Sequence, residues 1–321
     1  MPEENKIGRS FSDEKHLSGQ WRTRMVVTAN PGLRQLFSYC SFKRSGVAAL
    51  AKKIPAAPRP QLAVDLGSGQ GAYAHWFLGG TLRGNVTVIA IDWSREALLR
   101  IPAPARGKIV KICADAGSIP LKSESADALF SLDTLGHVES IPKVLDEILR
   151  IAKPGAPLFL HSECGDYRTR WPDTMLMKRI GYDFLARYDD HRSVLPFAAL
   201  RSLYTQRFHI DMIQSAAGYT GWLTGYPDKY RLAFAEAGAK TFVVLTSFFS
   251  FVKRMPLTGL LLRLLNSSIN HLELALGLQG GGSCCALLHK PSPATPILQN
   301  RRAEPCPSGL ISWSRRTTVR T

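Results

Sequence analysis

The chain has 321 residues, of which 45% are apolar, and a formal charge of +16; that is enough to bury one elaborated core and a tight fit for two separate domains. The stretch from Lys290 onward holds six basic residues and one acidic one, which contribute +5 and leave +11 elsewhere. This balance favours an anionic partner, whether a phosphate-bearing substrate, nucleic acid or an acidic lipid surface, describes a solvated basic surface equally well, and excludes nothing about fold.

In chain order, residues 1–30 are polar and mixed in charge, lacking the apolar stretch of a secretion signal, and read as a poorly ordered end. A helical segment near Leu33 to Lys53 follows, closed by the Pro-rich linker Ile54 to Pro60. Short apolar runs then alternate with amphipathic stretches. Strands are predicted at Gln61 to Leu66, Val86 to Ile91, Ile109 to Cys113, Ala128 to Leu132 and Pro157 to Ser162. Helices are predicted at Ala72 to Leu78, Ser94 to Arg100 and Ile141 to Ala152. That rhythm is the rhythm of a parallel sheet covered on both faces, an α/β, Rossmann-like doubly wound architecture.

After Glu163 the pattern changes, and a segment rich in aromatic and charged residues to about Ser193 reads as a cap over the site. A helix (Leu195 to Gln206) and a strand (Phe208 to Gln214) come next, then some sixty residues of mostly apolar helix, the turn Gly280-Gly281-Gly282 and a last strand, Cys284 to His289. The expected division is a core with N-terminal helix and cap over 31–218, an apolar helical insertion over 219–282, a final core strand over 283–290, and a disordered basic tail over 291–321.

The run Val64-Asp65-Leu66-Gly67-Ser68-Gly69-Gln70-Gly71 ends one predicted strand and opens a helix, and its glycines let backbone approach a ligand where a Cβ would collide. The next strand ends at Asp92, followed by Trp93, and the one after at Asp115-Ala116. Three sheet ends thus point polar groups at one crevice. Further on come Ile119-Pro120, then Ser131-Leu132-Asp133-Thr134-Leu135-Gly136-His137-Val138, and Leu149-Arg150-Ile151-Ala152-Lys153-Pro154-Gly155. In this order the pieces resemble the class I S-adenosylmethionine-dependent methyltransferases, in particular the group with a ubiquinone-biosynthesis-like core, over about residues 60–165.

The resemblance implies a mostly parallel seven-stranded sheet and S-adenosylmethionine as cofactor. It implies that Gly67, Gly69 and Gly71, with Ser68 in the same loop, pack against the amino acid part of the cofactor. It further implies that Asp65 fixes the loop and its amino group, that Asp92 beside Trp93 holds the ribose, that Asp115 and Ala116 meet the adenine, and that the segment through Asp133 walls the pocket. A nicotinamide enzyme is the competing reading, since Gly67, Gly69 and Ala72 also fit the looser dinucleotide fingerprint with Asp92 at a tolerable distance. Against it, Asp65 before the turn suits a cationic group rather than a pyrophosphate, and the dinucleotide scheme asks for neither Asp115-Ala116 nor the Lys153-Pro154-Gly155 turn.

Methyl transfer needs an acceptor placed in line with the donor and kept from water, and positioning of that kind accounts for roughly 7–11 kcal/mol of barrier. A hydroxyl or amine acceptor gains further from a base. Candidates are Asp133 and His137 after the fourth strand, and His161, Glu163 and His191 near the cap; His191, His137 and Asp133 are the catalytic residues expected. No metal is expected. Cys40, Cys113, Cys164, Cys284, Cys285 and Cys306 form no C-x-x-C pair, and His161 near Cys164 and His289 near Cys285 are too few for a four-ligand zinc site. A reducing, cytoplasmic setting is the default for such cysteines.

The apolar insertion holds Gly221-Trp222-Leu223, Phe242 to Val252, Leu257 to Leu265 and Ile269 to Leu278, and the run from Phe242 to Leu265 is broken as a membrane span by Lys253, Arg254, Pro256 and Arg263. Its apolar surface must be covered by the core, a second copy or lipid, so a small or lipid-like acceptor, peripheral membrane contact and a homodimer all stay open. RNA or protein methylation and a non-catalytic S-adenosylmethionine-binding role are the alternatives; nucleic acid fits the charge, but the basic residues are scattered and no RNA-binding module accompanies the core.

Overall fold

The computed structural model describes residues 42–55, 57, 59–79, 85–216, 218, 220–276 and 281–292. The expectations for the two chain ends, for the start of the first helix before Phe42, and for Gly280 lie outside these residues. Helix α1 (Phe42–Lys53) leads to β1 (Gln61–Leu66), α2 (Ala72–Leu78), β2 (Val86–Asp92), α3 (Arg95–Leu99), β3 (Lys108–Cys113), β4 (Ala128–Leu132), α4 (Ile141–Ile151) and β5 (Pro157–Glu163). Two short helices, α5 (Asp173–Ile180) and α6 (Phe184–Asp189), occupy the segment expected to cap the site. After them come α7 (Phe197–Thr205), β6 (His209–Ala216), α8 (Gly221–Thr224), α9 (Pro227–Glu236), α10 (Lys240–Arg254), α11 (Pro256–Ala275) and β7 (Ser283–His289).

The strands form one seven-stranded sheet in the order β3-β2-β1-β4-β5-β7-β6. Strands β1 to β5 run parallel, while β7 lies antiparallel between β5 and β6. Successive residues of the parallel strands face opposite layers, so both must be apolar. Leu129 and Leu158 join the cluster of Val64, Leu145, Ile148 and Leu288, whereas Phe130 and Phe159 join that of Val47, Leu50, Phe77 and Val88. This is why the strand sequences read as continuous apolar runs rather than alternating ones.

Helix α4 shows how sequence sets an element. Ser140 caps it by accepting the Lys143 N–H, Pro142 sits in its first turn, and Ile141, Val144, Leu145, Ile148 and Ile151 recur on one buried face. Each such side chain removed from water stabilises the fold by about 1.5–3 kcal/mol.

Much of the insertion packs on the cap rather than standing apart. Leu176 and Phe184 of the cap helices form a second core with Tyr230, Ala233 and Phe234 of α9, closed by Trp222 and Phe242. The Phe234 ring stacks on Phe242 at 4.9 Å and meets Trp222 edge-on at 5.7 Å. The outer faces of α10 and α11 differ: Phe248 and Leu257 are 59% and 69% exposed, with Phe251, Leu261 and Leu265 also exposed. Among the described residues no helix is long and apolar enough to cross a membrane.

Asp173, at the first turn of α5, is buried and accepts a hydrogen bond from the Tyr230 hydroxyl at 2.8 Å. Burial raises its carboxyl to about 6, against the opposing pull of that hydroxyl. A carboxyl raised in the folded state binds its proton more tightly than in the unfolded chain. Its contribution to stability therefore improves as pH falls through about 6 and levels off below the unfolded value. Asp173→Asn should be more stable than the parent at pH 7.5 by about 1–3 kcal/mol, with the gap closing by pH 4. Denaturant unfolding of the two proteins across that range checks this; a gap independent of pH would show that Asp173 carries no buried charge.

Candidate functional site

Strand order reverses between β1 and β4, and at their carboxyl ends the sheet opens a crevice of the kind in which α/β proteins hold ligands. Gly67, Gly69 and Gly71 all have positive φ, at 73°, 51° and 75°, so the loop that follows β1 turns in a way that L side chains resist. The Gly67 N–H donates to the Ile91 carbonyl at 2.8 Å, tying the loop to β2. A Cβ on Gly67 would stand 2.0 Å from Oγ1 of Thr134, and one on Gly71 would stand 2.7 Å from Ile101. Protein packing therefore by itself asks for glycine at these two positions. Thr134 is held in turn by donating to the Leu66 carbonyl at 3.0 Å.

The three acidic positions lie at the ends of adjacent strands. Asp65, in β1, is 2% exposed; burial, then the charge of neighbouring Asp92, raise its carboxyl well above the usual range, while the Ala74 N–H bonds to it and works the other way. Its Oδ2, like the Ser68 hydroxyl in the same loop, is buried without a protein partner. Asp92 accepts the Gly69 N–H at Oδ2 and the Ser94 N–H at Oδ1, each at 2.8 Å. It therefore locks the glycine loop onto β2 as well as standing where the ribose is expected. Asp115 is exposed, and its Oδ1 accepts the N–H of Gly117, with Ala116 half-buried beside it.

Those features fit an adenosyl sulfonium amino acid. Two orphaned polar atoms under a glycine turn offer hydrogen bonds to a charged amino acid group, and a pair of buried carboxyls in mutual repulsion is relieved by a nearby cation. Asp92→Ala should unlock the loop and weaken S-adenosylmethionine binding about tenfold or more, since buried N–H groups left without an acceptor cost about 1–3 kcal/mol each. Isothermal titration checks it, and an unchanged affinity would remove Asp92 from the site.

Across β4 stand the side chains expected to serve the acceptor. Asp133 adopts a positive φ of 57° and pairs through Oδ2 with the Lys43 ammonium of α1. His161 Nδ1 lies 2.9 Å from Oδ1 of Asp133. Burial would raise the Asp133 carboxyl, yet Lys43 and His161 hold it well below the usual carboxylate range. Lys43, whose charge burial opposes, is held well above its usual range by Asp133, with Tyr73 and Tyr226 adding to it. A carboxylate this reluctant to take a proton is a poor general base.

His137, Glu163 and His191 come together. One donor atom of each lies within 4.8 Å of the others. His191 Nε2 is 3.7 Å from Glu163 Oε1, and the two imidazole rings meet edge-on at 4.9 Å. Burial lowers the proton affinity of His191, against the pull of Glu163 and with the push of His137. The cap loop is stitched to the core here: the N–H groups of Arg192 and Ser193 both donate to the Gly136 carbonyl, at 2.7 and 3.0 Å, and the Arg192 guanidinium lies 5.7 Å from the centre of the Trp93 ring. Sequence reasoning missed Lys43, Tyr73 and Tyr226. Lys43 is one of many lysines, and no local spacing ties it to a carboxylate ninety positions away.

A seven-stranded sheet of this order with a glycine loop and acidic strand ends is the architecture of the class I methyltransferases. Residues 64–160 match the family described as a methyltransferase domain. Over 120 residues the chain is 29% identical to a demethylmenaquinone methyltransferase of Renibacterium salmoninarum, covering 36% of this chain and 48% of that one. The matched stretch thus spans about half the length of that curated relative. A solved Galdieria sulphuraria protein, provisionally named a sarcosine dimethylglycine methyltransferase, has the same fold at 12% identity and TM-score 0.50, over 88% of this chain and 98% of that one. Residues 64–160 are an S-adenosylmethionine-dependent methyltransferase domain of class I, with S-adenosylmethionine as its cofactor.

Proposed function

We propose that the whole chain transfers a methyl group from S-adenosylmethionine to a small or lipophilic acceptor held between the carboxyl ends of the sheet and the helical cap. The observation that carries this reading is the seam where Arg192 and Ser193 of the cap loop bond the carbonyl of Gly136, two residues beyond the Thr134 that buttresses the glycine loop, with His137, Glu163 and His191 gathered beside it. When bound, S-adenosylmethionine supplies an activated methyl on a positively charged sulfur. Asp65, Ser68 and the glycine loop would hold its amino acid end, Asp92 and Trp93 its ribose, and Asp115 with Ala116 its adenine. Asp133 and Lys43 fix the wall between the two halves of the site.

On the acceptor side, His137, Glu163 and His191 would position the reacting group and lower the cost of removing its proton. Asp133 is given no such role because its ion pair keeps it charged. The cap helices share an apolar core with α8 to α10, and an acceptor with an apolar body would suit a site covered by such a unit. Mass spectrometry of molecules that co-purify with the full chain, followed by a turnover assay on what is found, tests the reading. S-adenosylmethionine or its demethylated product should be recovered, with methyl consumption once an acceptor is supplied. Cofactor binding without turnover on any recovered molecule would mean a binding protein, and steeply salt-dependent RNA binding with RNA methylation would replace the small acceptor.

A further inference from the structure

The structure assigns to His137, Glu163 and His191 a binding site for one first-row divalent transition-metal ion, with zinc as the best-suited occupant. The inference deepens the acceptor-side reading above, because it names the means by which those three side chains would act.

Two imidazoles and one carboxylate are the donor set of three-ligand catalytic metal sites, which keep one or more positions open for water or substrate. Donors bound about 2.1 Å from a tetrahedral ion stand roughly 3.4 Å apart. His191 Nε2 and Glu163 Oε1 are already at 3.7 Å, and a donor of His137 is within the same 4.8 Å group. Small side-chain rotations close what remains.

The surroundings point the same way. The His191 side chain is 9% exposed and its Nδ1 has no protein partner, and Oε2 of Glu163 is likewise buried without one. A metal ion held by both oxygens of Glu163 would satisfy Oε2, and with Nε2 of His191 as the ligand its Nδ1 carries the proton. His137 Nδ1 donates to the Asp190 carbonyl at 3.2 Å, which fixes the tautomer with the lone pair on Nε2, the arrangement that outer-sphere partners impose on metal-binding histidines. Gly136 leaves the room: a Cβ there would stand 2.5 Å from Oε2 of Glu163 and 3.4 Å from the His191 ring.

The neighbouring cations are themselves paired with carboxylates. Lys229 pairs with Asp189, and Arg192 lies 3.6 Å from Asp190. The trio therefore offers one carboxylate and two imidazoles as ligands. Its spacing of 26 and 28 residues between ligands matches no short zinc motif, which is why the sequence reads as metal-free. With three protein donors the remaining positions suit an oxygen of the acceptor, whose proton a bound divalent ion makes easier to remove.

The test uses full-length protein stripped with a chelator and titrated with cobalt(II), without cofactor or acceptor, followed by visible ligand-field absorption and by displacement with zinc. One equivalent should bind at micromolar Kd or tighter. Glu163→Gln and His191→Ala should each weaken binding about a hundredfold or more, while His209→Ala, a histidine in β6 outside the trio, should bind as the parent does. Thermal unfolding and S-adenosylmethionine affinity of each variant, measured alongside, identify any that misfold; Glu163→Gln keeps the shape of the side chain and serves as the second arm if His191→Ala fails to fold. The inference is overturned if no stoichiometric ion binds, or if the Glu163 and His191 variants bind it as well as the parent. Because cofactor affinity is read separately, loss of the metal site with S-adenosylmethionine binding intact rejects this inference alone, whereas absent cofactor binding rejects the methyltransferase reading.

Discussion

Gly67→Arg should abolish measurable S-adenosylmethionine binding. The residue sits at the β1 end of the crevice with φ at 73°, so any side chain there starts from a conformation costing about 1–2 kcal/mol. Its Cβ would then stand 2.0 Å from Thr134 Oγ1, and overpacking of that kind costs about 1–3 kcal/mol more. Gly67→Ala carries both of these costs without the long side chain: it should lose affinity by roughly tenfold or more as the loop shifts, with a lower Tm. Arginine adds a long cationic side chain to that clash, in the loop expected to hold the cofactor. Calorimetric titration of both variants decides the matter. If either binds as tightly as the parent, the cofactor pocket is not at the β1 turn.

The second large effect is expected far from the cofactor. Phe234 is fully buried between Trp222, Tyr230 and Phe242, in the core that joins the cap helices to the insertion. Truncating it to alanine should cost about 3–5 kcal/mol. That loss falls on the helical unit, whose apolar core is much smaller than the two that sandwich the sheet. Phe234→Ala should therefore keep S-adenosylmethionine affinity near that of the parent while methyl transfer drops at least tenfold and amide exchange over 173–243 accelerates. Equal losses of cofactor binding and turnover would instead mean that the cap and the sheet unfold as one unit.

Much of the sheet was legible because local signals and tertiary demand agree. Strands β1 and β4 fall where the apolar runs place them, and β2, β3 and β5 differ by one residue at an end. Helix α2 also matches, because the run Gly69-Gln70-Gly71 stops the preceding turn and Ala72 begins a helix-forming stretch. The cap segment was legible only as a cap: α5 and α6 are short, and their buried residues, Leu176 and Phe184, gain partners from α9 more than forty positions later. The insertion from 219 onward, whose cover the sequence left open between core, second copy and lipid, shares a core with the cap before it, since apolar periodicity shows that a face must be covered and never says by what.

The candidate site divides in the same way. Asp65, Asp92 and Asp115 could be read because each ends a strand of a parallel sheet, and strand ends in register share one edge. His137, Glu163 and His191 could be named one by one but not as a group, and the ion pair that sets aside Asp133 as a base depends on Lys43 arriving from α1. By itself the sequence determined the layered α/β fold, the strand order's raw material and the glycine loop, because periodicity and turn chemistry act over a few neighbouring residues. The tertiary structure alone decided which side chains meet across β4 and what covers the apolar helices. Charge pairing and metal geometry depend on distances of a few ångströms between residues that the chain separates by dozens.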